Sequence, residues 1–391
     1  MEQCAVCLSA RAEEGSFVAL RCGHTFCVGC LKRCAAHDHA QCPTCRTPHL
    51  LDPDELKAAF DKFRSLYRSW RVGGVKGCAG EVADVSKSPS KETQQHPKKK
   101  LEAQCKESVA FRDYAQPHER QDIVRAHYRD MRSKQTVSFV KRMRGKYSFE
   151  DGRSRCEMTV REAFDVLENY VDSSDPDLGL PNIIHALQTA EAIRAAGHPD
   201  WLVLTGLVHD MGKIMFLWGT PEDGQQGTAE GPQWALGGDT FVVGCALPSG
   251  PERPGLVFPE FSELNPDMRD PRYSSRLGMY EKHCGIDNLL FAYGHDEYLY
   301  HMLKANSGKG SQSLPDEALA IVRYHSAYPW HTARIYDHFM RPEDHATLDW
   351  VLEFNKFDLY TKDEHNVLDL DQLWPYYQSL IDLYLPGKLK W

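Results

Sequence analysis

The sequence predicts a mostly α-helical protein. One large helical domain with a short β excursion spans residues 108–391. A small metal-stapled module at 1–50, an amphipathic helix at 51–71 and a flexible linker at 72–107 precede it. Three observations carry this. Eight of the 13 cysteines fall within the first 45 residues, mostly in close pairs. Residues 72–107 almost lack large apolar side chains. Beyond residue 108, apolar residues recur at three- and four-residue steps between glycine and proline stops.

Composition excludes several classes. Of 391 residues, 42% are hydrophobic and 26% charged, as in a folded chain rather than a disordered one. The net charge of −9 is uneven: residues 1–107 hold 17 Lys+Arg against 13 Asp+Glu, the remainder 29 against 42. An acidic bulk repels phosphate backbones, so nucleic acid is not an expected partner. No apolar run reaches the roughly 18–20 residues of a membrane helix. The start, MEQCAVCLSA, lacks a basic region followed by an apolar core. The expected location is therefore cytoplasmic, and metal binding explains the cysteine cluster better than disulfides.

In the 51–71 segment, Asp52 suits an N-cap, Pro53 the first helical position and Glu55 a capping box; Leu56, Phe60, Phe63, Tyr67 and Trp70 then form a stripe. The linker, with SKSPSKETQQHPKKK, cannot bury enough surface to offset its ordering entropy. In the large domain Asn182 is expected to cap a helix through Ile183, Leu187 and Ile193 that stops at Gly197 and Pro199. Residues 201–218, WLVLTGLVHDMGKIMFLW, read as one buried central helix, apolar nearly all round. Residues 237–247 read as the short β excursion. Pro315-Asp316-Glu317 opens a helix through His325 that closes near Pro329, and residues 348–362 suggest one more.

The amino-terminal pattern is Cys4-x2-Cys7-x14-Cys22-x-His24-x2-Cys27-x2-Cys30-x11-Cys42-x2-Cys45. Eight soft or borderline ligands in four close pairs suit two tetrahedral zinc ions. A module this small, with few large apolar side chains, needs such staples to fold. The spacing resembles the RING finger family, in its variant with one histidine. The resemblance implies crosswise sites, Cys4, Cys7, Cys27 and Cys30 holding one zinc and Cys22, His24, Cys42 and Cys45 the other. It also implies docking of a ubiquitin-conjugating enzyme through Leu8 and Pro43, with Arg46 bridging enzyme and ubiquitin. Cys34 stands where the family often has tryptophan, a departure that bears on docking strength rather than on the zinc fold.

Five segments of the large domain, PNIIHALQTAEAIR, GLVHDMGK, YGHDEYLY, RYHSAYPWHT and NKFDLYTK, offer His185, His209, Asp210, His295, His325 and Asp358. Four imidazoles and two carboxylates suit borderline metals such as iron. A charged Asp210 on a buried helix is costly unless paired or metal-bound, and its two oxygens suit a bridge between two cations. Six protein ligands, one bridging, leave open positions for a substrate and dioxygen. Lys213 follows His209 by four residues and Lys362 follows Asp358 by four. If both segments are helical, each lysine sits one turn from a ligand and aims a cation at the site.

The His…His-Asp…Asp series resembles the HD-domain superfamily. The wider segments, among them SVAFRDY, VDSSDPD, GLPNIIHALQTAE, PQWALGGDTFVVGC, NPDMRDPRYSS and YYQSLIDLYLPG, closely resemble myo-inositol oxygenase over about residues 108–391. That resemblance implies a mixed-valent di-iron enzyme of inositol catabolism, which cleaves the ring of myo-inositol with O2 to D-glucuronate. It implies one iron on His185, His209 and Asp358, the other on His295 and His325, and Asp210 bridging. It places substrate contacts at Arg112, Asp172, Lys213, Gly238, Asp239, Ser326 and Lys362, with Lys213 assisting hydroxyl deprotonation. The competing expectations are a RING ubiquitin ligase whose oxygenase-like domain senses inositol or recruits targets, and an HD phosphohydrolase, which the acidic charge disfavours.

Departures from the family pattern are an apparent insertion at Thr220–Gly231, Gly237 in place of a β-branched residue, and a longer segment at Lys304–Ser313. His301 and His331 read as structural histidines, His127, His283 and His345 as residues without a partner pattern, and Cys245 and Cys284 as packing residues.

Overall fold

The computed structural model describes residues 17–19 and 25–27, and then 120–167, 170–174, 182–226, 231–358, 368 and 370–391. The chain divides into two compact units, Met1–Thr93 and Gln94–Trp391.

In the first unit, β1 (Phe17–Ala19) and β2 (Thr25–Cys27) pair antiparallel, Phe17 opposite Cys27 and Ala19 opposite Thr25. Cys27 thus closes the second strand. The other seven expected zinc ligands lie outside the described residues, as do Leu8, Pro43, Arg46, the 51–71 helix and the 72–107 linker.

The second unit is mostly helical, as expected. Its first helices are α1 (Gln121–Lys134) and α2 (Val137–Lys146). The Thr136 hydroxyl caps α2 by accepting the Phe139 N–H at 3.1 Å. A two-residue strand β3 (Glu157–Met158) leads into α3 (Val160–Leu167). The central pair is α4 (Asn182–Ala195) and α5 (Asp200–Val208). Every residue of α5 from Leu202 to Val208 is buried, and each large aliphatic side chain there contributes about 1.5–3 kcal/mol. After a long irregular stretch come α6 (His295–Ala305), α7 (Asp316–Tyr324), the single turn α8 (Tyr328–His331), α9 (Asp344–Asp358) and α10 (Leu370–Tyr384). The last strand, β4 (Leu389–Lys390), returns to pair with β3. Among the described residues no helix is long and apolar enough to cross a membrane.

Three expectations are corrected. Residues 201–218 do not form one helix: α5 stops at Val208, His209 is its C-cap, and Met211–Leu217 form a 3-10 helix. Close approach accompanies the change, because a Cβ on Gly212 would collide with the His295 carbonyl oxygen. Only glycine lets the 3-10 segment run against the start of α6. Residues 237–247 contain no strand but a single bridge, Val242 to Phe291, flanked by Val243 N–H to Leu290 O and Ala292 N–H to Phe241 O. Glycines at positive φ, Gly238 and Gly244, interrupt any longer pairing. Asn182 is the first residue of α4 and turns its side chain inward instead of serving as its cap.

A buried ion cluster fixes the start of α6. Glu297, 1% exposed, meets Arg144 of α2 at 2.6 Å and Arg323 of α7 at 2.8 Å, and His301 one turn onward at 3.0 Å. Burial alone would raise its carboxyl. The hydrogen bond from His301 and the two guanidinium charges outweigh burial and hold it well below the usual range. This stabilisation is present above the unfolded carboxyl range near pH 4 and is lost as pH falls through the depressed folded value. Replacing Glu297 by Gln leaves the buried Arg323 and the partly exposed Arg144 without their anion and is expected to cost about 3 kcal/mol in urea unfolding of the full chain. A loss below about 1 kcal/mol would mean that both arginines reach water.

Candidate metal centre

Five helix ends converge on one buried point. His185 lies in the first turn of α4, and His209 and Asp210 follow α5. His295 opens α6, His325 follows α7, and Asp358 is the last residue of α9. Helix ends carry backbone groups without intrahelical partners, and here carbonyls orient the rings. His209 Nδ1 lies 2.9 Å from Gly206 O, His325 Nδ1 3.0 Å from Val322 O and His295 Nδ1 2.5 Å from Leu236 O. A carbonyl only accepts, so each Nδ1 carries the proton and each Nε2 is left to face the cluster. His331 supports this arrangement, with Nε2 3.0 Å from the His325 carbonyl; burial lowers its pKa to about 4.

The Nε2 atoms and carboxylate oxygens fall into two groups. On one side His185 Nε2 is 2.8 Å and His209 Nε2 3.2 Å from Asp358 Oδ1. On the other, His295 and His325 Nε2 lie 3.2 Å apart. Asp210 stands between them. Its Oδ2 is 3.6 Å from His209 Nε2, while Oδ1 is 3.1 Å from His295 Nε2 and 3.8 Å from His325 Nε2. Donor atoms of His185, His209 and Asp358 all lie within 4.8 Å of one another, as do those of His209, Asp210 and His325. His209 Nε2 is buried and makes no hydrogen bond. An orphaned ring nitrogen among carboxylates is the donor set a cation would complete.

Electrostatics point the same way. Burial would raise the Asp210 and Asp358 carboxyls. Both are instead held well below the usual range, Asp210 chiefly by Lys213 and His209, Asp358 by the neighbouring His185 and His209. Burial would lower the imidazoles, yet Asp210 and Asp358 raise His209, and Asp296 and Asp210 raise His295 to about 10. The pocket lacks positive charge, and protons or metal cations can supply it.

Lys213 is the fixed cation of the site. Its Nζ donates to Asp172 Oδ2 at 2.8 Å, Asp210 Oδ2 at 2.9 Å and Asn182 Oδ1 at 2.9 Å. Burial would lower it; Asp172 and Asp210 hold it well above the usual amine range. The one-turn α-helical relation to His209 does not hold, because the chain there is 3-10, and Lys213 instead sits three residues from Asp210 on the same side.

The other expected substrate contacts are partly gathered. Asp172 accepts from the Ser174 hydroxyl at 2.6 Å as well as from Lys213. Its carboxylate occupies space that a Cβ on Gly237 would invade at 2.6 Å, so Gly237 makes room for it. Asp239 pairs with the fully buried Arg132 at 2.6 Å, and its other oxygen, buried, has no partner. Burial raises its carboxyl despite Arg132. Ser326 Oγ is 3.5 Å from His295 Nε2, and its carbonyl accepts from Thr240 N–H at 2.7 Å. Gly238, at φ 90°, turns the backbone between these two carboxylates. Arg112 and Lys362 lie outside the described residues.

Sequence reasoning missed Asp296. Its Oδ1 is 2.6 Å from His295 Nε2, the Thr240 hydroxyl donates to its Oδ2 at 2.8 Å, and it joins His295 and His325 in a third donor cluster. The signal was present: His295-Asp296 repeats the His209-Asp210 dipeptide. His127, read as partnerless, lies 2.9 Å from Ser173 Oγ and 3.3 Å from the Gly237 carbonyl. His301 and His331 are held by structural partners, as expected.

Comparison with known proteins gives two family matches. The model of the myo-inositol oxygenase family matches residues 121–391, and that of the Ring finger domain matches residues 2–46. The inositol oxygenase of Homo sapiens is 47% identical over 289 residues, covering 73% of this chain and 93% of that protein. That of Mus musculus is 48% identical over 275 residues, covering 69% and 87%. Inositol oxygenase 2 of Arabidopsis thaliana is 44% identical over 285 residues, covering 72% and 83%.

A divalent metal entering the centre must displace protons from the raised imidazoles. Metal loading of the metal-free chain at pH 7 is therefore expected to release protons, and affinity to fall as pH falls. Calorimetry in buffers of different ionisation enthalpy measures this. A heat independent of buffer would show that the imidazoles are already neutral.

Proposed function

The chain belongs to the myo-inositol oxygenase family, and on that premise we propose that its second unit holds two irons and uses O2 to open the ring of myo-inositol. The overall balance is one inositol and one O2 to one D-glucuronate, one water and one proton, a four-electron oxidation of the carbon skeleton. The observation that carries the reading is Asp210, whose two oxygens face different histidine groups. When bound, the irons supply the redox chemistry with dioxygen. One would rest on His185, His209 and Asp358, the other on His295 and His325, with Asp210 shared.

The remaining residues bind and orient. A neutral polyol presents only hydroxyls, so it suits several fixed donors and acceptors. Asp172, the unpartnered oxygen of Asp239 and the Ser326 hydroxyl offer acceptors at fixed positions. Lys213 keeps its proton, held by three hydrogen bonds, and so assists by stabilising a developing alkoxide rather than by removing a proton. Its burial strengthens that effect by excluding water. Arg112 and Lys362 complete the substrate contacts in this reading.

For the first unit we propose two zincs, one on Cys4, Cys7, Cys27 and Cys30 and the other on Cys22, His24, Cys42 and Cys45. Leu8, Pro43 and Arg46 form the surface that recruits a ubiquitin-conjugating enzyme. The match to the Ring finger domain supports this part.

Metal analysis of the full chain is expected to give about two zincs and two irons. The iron-loaded protein should consume oxygen with myo-inositol and form D-glucuronate. His325→Ala should abolish turnover, and Lys213→Met should lower it about 100-fold or more. In autoubiquitination with a panel of conjugating enzymes, wild type should be active and Cys27→Ala and Arg46→Ala inactive or weak. Ligation without any oxygen consumption would favour the inositol-sensing reading instead.

A further inference from the structure

The six donors divide unequally between the two groups of the candidate centre. The first group has two imidazoles, the Asp358 carboxylate and one oxygen of Asp210; the second has two imidazoles and the other oxygen of Asp210. Asp296 removes the inequality. It is 1% exposed, in the first turn of α6, and its Oδ1 lies 2.6 Å from His295 Nε2 and 4.0 Å from His325 Nε2. Asp210 Oδ1 faces the same two nitrogens at 3.1 and 3.8 Å. The two carboxylates thus stand in nearly the same relation to the histidine pair. Ligands about 2.1 Å from an ion and at right angles to one another lie about 3 Å apart, so spacings of this size suit neighbouring ligands of one ion.

The chemistry of the contact calls for a cation. His295 Nδ1 is committed to the Leu236 carbonyl, so a neutral ring turns a bare lone pair toward Asp296 Oδ1. Two lone pairs at 2.6 Å repel unless a proton or a metal lies between them. Among the described residues no lysine or arginine pairs with Asp296, so histidines alone offset its buried charge. The carboxylate is also aimed. Its Oδ2 accepts the Thr240 hydroxyl at 2.8 Å, and Thr240 N–H in turn donates to the Ser326 carbonyl at 2.7 Å. Oδ1, with only a long contact to the Ser326 hydroxyl at 3.4 Å besides the histidines, is left to bind. An outer partner that fixes one carboxylate oxygen and presents the other is how metal ligands are oriented.

We propose that Asp296 is a ligand of the second metal while no substrate is bound, completing a set of two imidazoles, one shared oxygen and one carboxylate of its own. The inference rests on the di-iron reading of the centre and extends it. Its consequence is retention: two divalent ions bring four positive charges to a buried site where Asp210 and Asp358 supply two negative ones, and Asp296 adds a third on the side that has none of its own.

Anaerobic titration of the full chain, stripped of iron, with Fe(II) alone and no inositol tests it. Wild type is expected to take up two ions in the second unit. Asp296→Asn keeps the size of the side chain and removes its charge. It is expected to weaken one of the two ions by about 10–100-fold and to leave the other as in wild type. Magnetic circular dichroism should show the ligand-field bands of one Fe(II) site altered, a signature that a loosened fold does not give. Thr240→Val, which frees Oδ2, is expected to weaken the same ion to a smaller degree, and it carries the test if Asp296→Asn folds poorly. The inference is overturned if the variants bind both ions as wild type does, or if they weaken both alike, the mark of a purely structural role. Wild type taking up no Fe(II) in the second unit would sink the di-iron reading along with it, whereas two ions held equally by wild type and Asp296→Asn would sink this inference alone.

Discussion

Buried and nearly buried carboxylates govern the second unit. Asp172, Asp210, Asp296 and Asp358 are packed among histidines, and Lys213 is the one lysine or arginine with ion pairs to any of them among the described residues. Burying such charge unpaired would cost far more than the whole unit's stability. The fold answers by bringing imidazoles from four helix ends and by turning Asn182 and Asp172 toward Lys213. Those features otherwise look like departures from regular structure: a helix stopped at Val208, a 3-10 segment after it, a glycine pressed against the His295 carbonyl. Each places a charged or polar group where the balance of charge requires it.

The six donors were legible because histidines and aspartates set among apolar neighbours are costly to bury unless a cation shares them, so they stand out from the segments that carry them. Helix positions were legible from a different signal: α4, α7 and α9 follow apolar periodicity and proline or glycine stops. The break at His209 was not. It is accompanied by a close approach of Gly212 to residue 295, far along the chain, and local pattern carries no record of such a contact. The stretch 237–247 misled because its β-branched and aromatic residues suit a strand, while glycines at positive φ limit pairing to one bridge. Asp296 escaped because the family resemblance marks only His295 of its dipeptide, although the pair repeats His209-Asp210. Among the described residues of the first unit, the hairpin ending at Cys27 is what bears on the expected zinc module.

The two matched regions carry opposite donor sets. The amino-terminal pattern offers seven thiolates and one imidazole, a soft set for zinc; the helical unit offers imidazoles and carboxylates, a harder set for iron. Closed thiolate sets suit structural metals, whereas six nitrogen and oxygen ligands around two metals leave positions open.

The pairing of His185 with Asp358 spans 173 residues of sequence. A growing polypeptide therefore cannot assemble the first donor group until residue 358 has left the ribosome. Before that moment the exposed histidines and aspartates are separate weak chelators, scattered over helices that have not met. A chain cut before residue 358 lacks the Asp358 carboxylate and so forfeits the first donor group even if most helices form.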